Sequence, residues 1–399
     1  MMGMLSGAKT YWKFAGQCTE CGHCQKACPS LSSAGLTLGK IAKGMLACER
    51  RATDIDDLQM QVLMNGQLTQ AVRGCFLCTT CQQTCFANND VSELIYAARE
   101  DFQNLGLIPR EAWSSVLVDQ EWDIFTAYRA IHGIGYPDLV RHVDSEYGPA
   151  RTDCEVAFFP GCSLAAYGPE LTREIFATVE ELGGTTTMID HCCGSPLKSA
   201  GFYDRATALC NLIGSEIAAS GAKQVVCACP GCRNAMEATL ERLGIACKAV
   251  TLAQFLVEHG FTPKRDFGDL QICISKSCQD RDGRYLEETR ALLDAQDARV
   301  VYGGCCGAGG AVSAFDFDQH AEQTGRKLSG VADGETIVTM CPTCTYTYAL
   351  YLMSHPRDIA CKNYLELVFE NQFDWDLVYA QLNNMWSGPY GAWLAQVFA

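Results

Sequence analysis

Hydrophobic residues change their spacing near residue 151. Beyond it, short apolar runs alternate with longer stretches of helical period. EVAFF (155–159) is a compact apolar run. ELTREIFATVEELGG (170–184) sets Leu171, Ile175, Val179 and Leu182 on one helical face and stops at Gly183–Gly184. TTTMI (185–189) is rich in β-branched residues, DRATALCNLIGSEIAASG (204–221) groups Leu209, Leu212, Ile213 and Ile217, and KQVVCAC (223–229) reads as a strand. The alternation returns in LQICIS (270–275), RYLEETRALLDAQ (284–296), ARVVY (298–302) and ETIVTM (335–340). Strands alternating with helices predict parallel sheets, whose ligands bind beyond the carboxyl ends of the strands.

Before residue 107 only helical patterns occur. IAKGMLACERR (41–51), IDDLQMQVLMNGQLTQAVRG (55–74) and DVSELIYAAREDFQNLG (90–106) each read as a helix, the last with Asp90 as N-cap and Gly106 as stop. Residues 107–150, with Pro109, Gly133, Gly135 and Pro137, read as a partly helical connector. The end of the chain, 371–399, is rich in aromatics, which fits core packing or docking to a partner subunit. The expected class is therefore α + α/β: an N-terminal all-helical domain (1–106), the connector (107–150), two duplicated α/β modules with parallel sheets (151–262 and 263–370) and an aromatic tail (371–399).

Composition adds one departure from an ordinary globular chain. Among 399 residues, 25 are cysteine. The odd count and the opening MMGMLSGAKTYWKFAGQC, which has no apolar core of a signal peptide, argue against a secreted disulfide scaffold. No stretch approaches the roughly 20 apolar residues of a membrane span. The expectation is a cytoplasmic protein with metal-binding thiolates, membrane-associated only through a partner. The net charge of −15 disfavours nucleic acid, so none is expected as a partner.

Two runs carry the first chemistry. Cys18, Cys21, Cys24 and Cys28, followed by Pro29, form C-x2-C-x2-C-x3-C-P, and Cys75, Cys78, Cys81 and Cys85 repeat the spacing. This is the spacing of bacterial two-cluster ferredoxins, in which the fourth cysteine of a run serves the other cluster. The expected sets are Cys18, Cys21, Cys24 and Cys85 for one [4Fe-4S] cubane, and Cys75, Cys78, Cys81 and Cys28 for the second. Phe86 stands where proline usually follows. His23, inside the first run, reads as a hydrogen bonder rather than a ligand.

The α/β half repeats a second pattern. Cys162, the pair Cys192–Cys193 with Gly194, and Cys229/Cys232 in CPGC recur as Cys278, the pair Cys305–Cys306 with Gly307, and Cys341/Cys344 in CPTC. IACK also occurs twice, at 245–248 and 359–362. Each cysteine group follows a predicted strand, so the five in each module should meet at one sheet edge. A tetrahedral zinc uses four ligands and leaves one thiolate over; a larger or more open iron–sulfur cluster uses all five. Glycine after each pair lets backbone approach an inorganic core. A vicinal disulfide fits poorly, because adjacent Cα atoms lie about 3.8 Å apart, below the usual disulfide range of roughly 4.4–6.8 Å. Zinc in one module remains open.

These motifs together resemble the heterodisulfide reductase catalytic subunit in its form fused to a ferredoxin domain, a superfamily that includes the iron–sulfur subunits of glycolate, lactate and glycerol-3-phosphate oxidoreductases. The resemblance implies an iron–sulfur oxidoreductase. Two cubanes would relay electrons to two five-cysteine sites holding noncubane [4Fe-4S] clusters, with Cys162, Cys192, Cys193, Cys229 and Cys232 as one ligand set and Cys278, Cys305, Cys306, Cys341 and Cys344 as the other. A small-molecule disulfide would be reduced, or formed, between them. The alternative it implies is an electron-transfer subunit of a flavin-dependent 2-hydroxy-acid or glycerol-3-phosphate dehydrogenase feeding quinone or another carrier. SKSC (275–278) departs from the His-x-Pro-Cys-like approach of the hydroxy-acid relatives. Neither G-x-G-x-x-G after a strand nor G-x4-G-K-[ST] is present. Flavin must then come from a flavoprotein subunit, or electrons from a membrane haem or quinone subunit. His191, Lys198 and Lys276 are candidate proton donors. Seven further cysteines (Cys48, Cys154, Cys210, Cys227, Cys247, Cys273 and Cys361) read mostly as buried small hydrophobes.

Overall fold

Apolar strands and amphipathic helices close two four-stranded sheets of the same topology. The computed structural model describes residues 3–109, 116–120, 123–133, 151–264, 270–302 and 304–387. Most of the connector, including Gly135 and Pro137, and the chain end 388–399 lie outside the described residues. The chain divides into two compact units: residues 1–116 with 196–204 and 303–323, and the remainder.

The regular elements of residues 3–109 are all helical, and the longest are Ala8–Gln17, Leu38–Arg51, Ile55–Met64 and Val91–Asn104. Their apolar faces bury Tyr11, Phe14, Ile41, Met45, Leu58, Val62, Leu94 and Phe102. Asp90 caps the last of these helices, accepting from Ser92 N at 2.8 Å. The helix expected over 55–74 is two helices. Asn65 leaves helical geometry (φ −84°, ψ 73°), and its side chain caps Gly66–Arg73 by accepting from Leu68 N at 3.2 Å. An Asn–Gly pair favours a turn over helix continuation, which accounts for the break.

In the second unit, β1 (Val156–Phe159), β2 (Thr186–Met188), β3 (Gln224–Cys227) and β4 (Lys248–Thr251) form one sheet of order β2-β1-β3-β4. Its copy comprises β5 (Ile272–Ser275), β6 (Arg299–Val301), β7 (Thr336–Thr339) and β8 (Ala360–Asn363) in the order β6-β5-β7-β8. Every pairing is parallel. The chain order reverses between β1 and β3, and between β5 and β7. Such a switch point opens a crevice at the strands' carboxyl ends.

Two sequence expectations change. Leu212 is 49% exposed, while Leu209, Ile213 and Ile217 are buried, so the inner face of helix Tyr203–Ser220 omits it. The two IACK segments are not equivalent. β3 pairs Gln224 with Lys248, and β7 pairs Thr336 with Ala360, which sets Lys248 against Ala360 rather than Lys362. The tetrapeptide match is two residues out of structural register.

Candidate metal centres

The two N-terminal runs adopt the same backbone. Glu20 and Leu77 at one position, and Gly22 and Thr79 at the next but one, all have positive φ. Three of these four carry a side chain in a strained conformation, a feature that concentrates at functional sites. The turn lets Glu20 N reach Cys18 Sγ and Leu77 N reach Cys75 Sγ, both at 3.4 Å.

The fourth cysteine of each run crosses over. Cys18, Cys21, Cys24 and Cys85 line one hollow. Cys24 feels the charges of Cys18 and Cys85, while Cys28 feels Cys78, and Cys81 feels Cys75, Cys28 and Cys78. Burial pushes the Cys75 thiol up to about 12, and burial with neighbouring thiols pushes Cys81 up as well. Thiols crowded in this way ionise together only around a group of several positive charges. The donor sets therefore suit iron–sulfur clusters. At the exposed end, hydrogen bonds from His23 lower Cys21 to about 7, and the His23 ring meets Phe86 edge-on at 4.7 Å. His23 thus supports a cysteine and packs on the residue that replaces proline.

In the first α/β module all five cysteines meet. Cys162 is the third residue after β1, Cys192 and Cys193 the fourth and fifth after β2, and Cys229 the second after β3. Their thiols form a connected series from Cys162 through Cys192, Cys193 and Cys232 to Cys229. Contacts with Cys162 and Cys193 raise Cys192, while hydrogen bonds from Cys192, Cys232 and Ser195 lower Cys193. Cys193 Sγ lies 3.2 Å from Ser195 Oγ. Gly194 has φ +75°, and an added Cβ would meet helix Tyr203–Ser220 at Ala206 O and Cys210 Sγ. The left-handed turn requires glycine here. Gly161 (φ +76°) is the glycine held against sulfur, since a Cβ there would lie 2.9 Å from Cys232 Sγ. Sequence reasoning missed it, because its neighbour in space is far along the chain.

The second module repeats the placement. Cys278 is third after β5, Cys305 and Cys306 fourth and fifth after β6, and Cys341 second after β7. Hydrogen bonds with Cys229 and then Cys344 lower the Cys341 thiol. Cys278 Sγ accepts from Gln279 Nε2 at 3.9 Å. Cys305 and Cys306 belong to the first unit, where Cys305 Sγ accepts from Gly307 N at 3.3 Å and Gly309 N at 3.1 Å.

Within the second unit the two modules meet beside their cysteines. Cys229 Sγ lies 3.6 Å from Cys341 Sγ. Ser163 Oγ and Thr343 Oγ1 are 2.7 Å apart, Asn234 Nδ2 donates to Gln279 O at 2.9 Å, and Tyr167 stacks on Tyr346 at 4.7 Å. None of the 25 cysteines is joined in a disulfide. Among the described residues, no group of three or more His, Cys, Asp or Glu side chains is arranged to hold a single metal ion.

Of the candidate proton donors, His191 is buried with Nε2 at 3.1 and 3.0 Å from the Glu216 carboxylate oxygens. Lys198 belongs to the first unit, its Nζ 4.8 Å from the centre of the Tyr96 ring. Lys276 is half-buried, and burial raises the Asp280 carboxyl despite the opposing charge of Lys276. Of the seven cysteines outside the motifs, Cys48, Cys154, Cys227 and Cys273 are buried, while Cys210, Cys247 and Cys361 are only partly so. The Cys210 thiol donates to Cys193 O at 3.8 Å.

Residues 15–89 match the family described as 4Fe-4S dicluster domain, and residues 156–237 and 273–348 match the cysteine-rich domain CCG. Three proteins, each named as the same one of the subunits of dihydromethanophenazine:CoB–CoM heterodisulfide reductase, are similar over most of their length. That of Methanosarcina mazei is 23% identical across 88% of this chain and 93% of its own. That of Methanosarcina acetivorans is 24% identical across 82% and 86%, and that of Methanosarcina barkeri 22% across 88% and 93%. Among the described residues, no helix is long and apolar enough to cross a membrane.

Proposed function

We propose a disulfide-handling role for this chain from its membership in the superfamily of iron–sulfur oxidoreductase subunits that join a 4Fe-4S dicluster domain to two cysteine-rich CCG domains. It is an electron-transfer subunit that works with partner subunits. In this reading, Cys18, Cys21, Cys24 and Cys85 hold one cubane, and Cys75, Cys78, Cys81 and Cys28 hold the other. The two CCG quintets hold noncubane clusters. When bound, these groups supply one-electron carriers and thiophilic iron.

The observation that carries the reading is the contact of Cys229 with Cys341, which brings one cysteine of each module together. A disulfide takes up two electrons and two protons to give two thiols. A crevice with one thiolate set on each wall can receive one sulfur of the substrate on each side. A relay that only passes electrons onward needs no such symmetry. We assign proton delivery to His191 and Lys276, which stand next to Cys192 and two residues before Cys278, and packing to Lys198. Electrons come from a flavoprotein or from a membrane haem or quinone subunit.

Anaerobic purification of the full chain with iron and zinc analysis tests the metal assignment: roughly sixteen irons per chain and no zinc are expected. Electron paramagnetic resonance with and without small thiols and their mixed disulfides tests the chemistry. A new signal on adding one thiol to oxidised protein is the expected result. Indifference to every thiol, with rapid reduction by a hydroxy-acid flavoenzyme, would replace this reading with the dehydrogenase relay.

A further inference from the structure

Helix Val91–Asn104 carries Arg99 into the interior of the first unit, where it is fully buried. Nε donates to Val72 O at 3.0 Å. Nη1 donates to Ser199 O at 2.7 Å and Gly310 O at 2.5 Å. Nη2 donates to the carbonyls of Val72, Arg73 and Cys75 at 2.9, 3.0 and 2.7 Å. The Phe315 ring lies 5.2 Å from the guanidinium carbon. Each of these hydrogen bonds ends on a neutral carbonyl, and none, among the described residues, on a carboxylate. Burying a cation without an anion is strongly unfavourable, so an anion that the protein chain does not itself supply would account for it.

The surroundings show where that anion belongs. Val72–Cys75 ends in a ligand of the second cubane. Ser199 lies in the helix after the first doubled cysteine, and Gly310 in the turn after the second. Three glycines let these backbones touch. A Cβ on Gly310 would lie 2.2 Å from Cys75 O, one on Gly201 2.3 Å from Arg99 O, and one on Gly309 2.4 Å from Phe76 O and 2.8 Å from Cys305 Sγ. A Cβ on Gly304 would lie 3.8 Å from Cys78 Sγ. A cubane with four thiolates is net negative, and more so when reduced. A fixed cation beside it stabilises the reduced form, since net charge and hydrogen bonding set such potentials.

We infer that Arg99 is a positioning residue that raises the reduction potential of the second cubane and holds its Cys75 loop against the Gly304–Gly310 turn, so that electrons leave this cubane toward the Cys305–Cys306 pair. The inference rests on the reading that the two N-terminal quartets hold cubanes. It does not depend on the substrate.

The test is a redox titration of the full, iron-loaded chain, monitored by paramagnetic resonance so that each cubane's midpoint is read separately, with iron analysis alongside. Arg99→Met is expected to shift the second cubane's midpoint downward and leave the first unchanged. Arg99→Lys, which keeps the charge and loses the fork, is expected to return most of that shift. Loss of the second cubane alone in the Met variant also supports the inference. Equal effects on both cubanes, or no effect on either, would overturn it. The disulfide reading fails on a different measurement, thiol response, with both cubane midpoints intact.

Discussion

Cys229 and Cys341, the first cysteines of the two C-P-x-C segments, approach sulfur to sulfur at 3.6 Å although 112 positions separate them in the chain. The contact puts one thiol of each module within range of the other. Cys229→Ser and Cys341→Ser are each expected to remove about four of roughly sixteen irons. Each is also expected to change the resonance signal of the opposite module. Independent signals in the two variants would show that the modules do not share one crevice.

Gly161→Ala should act on the first module alone. The position requires φ +76°, and its Cβ would press on Cys232 Sγ at 2.9 Å. The left-handed conformation costs a non-glycine residue about 1–2 kcal/mol, and the displaced sulfur adds to that. Iron analysis and resonance of the purified variant should show the first CCG site depleted and both cubanes intact. Full iron content would mean that the Cys232 thiol can move without loss of the site.

How much of this was legible beforehand differs by type of contact. The strand ends and the cysteines behind them could be read, because β-branched runs and Cys spacing are local signals. Both modules place their cysteines third, fourth and second after equivalent strands, as the duplication implied. The Asn65 break was visible as an Asn–Gly pair but was outweighed by the helical period around it. Arg99 carried no signal at all: an arginine on an amphipathic helix looks like a surface residue until the carbonyls around it are known. The grouping of 196–204 and 303–323 with the N-terminal helices depends on contacts such as Gly310 against Cys75, which no periodicity records.

Arg129 and Asp190 form a buried ion pair at 2.5 Å, with side chains 6% and 10% exposed. Asp190 directly precedes His191 and the first doubled cysteine, so the pair fixes the approach of the chain to that turn. Removing one partner leaves a buried charge uncompensated, at a cost of about 3–5 kcal/mol. Arg129→Met is expected to lower anaerobic thermal stability by that order and to deplete the first CCG site. Arg129→Met with Asp190→Asn should recover part of the loss. A double variant no more stable than the single one would show that the pair is not what holds the turn.

Asp101, two residues after Arg99 on the same helix, supplies the contrast. Its carboxylate accepts from Ser6 N and Ser6 Oγ at 2.7 Å each, from Gly7 N at 3.1 Å and from Tyr11 OH at 2.6 Å. Burial raises this carboxyl above its ordinary range, and burial together with Asp101 raises the Tyr11 phenol. In Asp101→Asn an NH2 group faces two of these donors, a backbone N–H and a hydroxyl; the hydroxyl can turn to accept, and the N–H is left unsatisfied at about 1–3 kcal/mol. Faster amide exchange at Ser6 and Gly7 is the expected reading, with the second cubane's midpoint not lowered. If Asp101→Asn lowers that midpoint as Arg99→Met does, loosening of helix Val91–Asn104 would explain both variants, and the guanidinium would lose its separate role. If only Arg99→Met lowers it, the effect belongs to the charge and its carbonyl contacts.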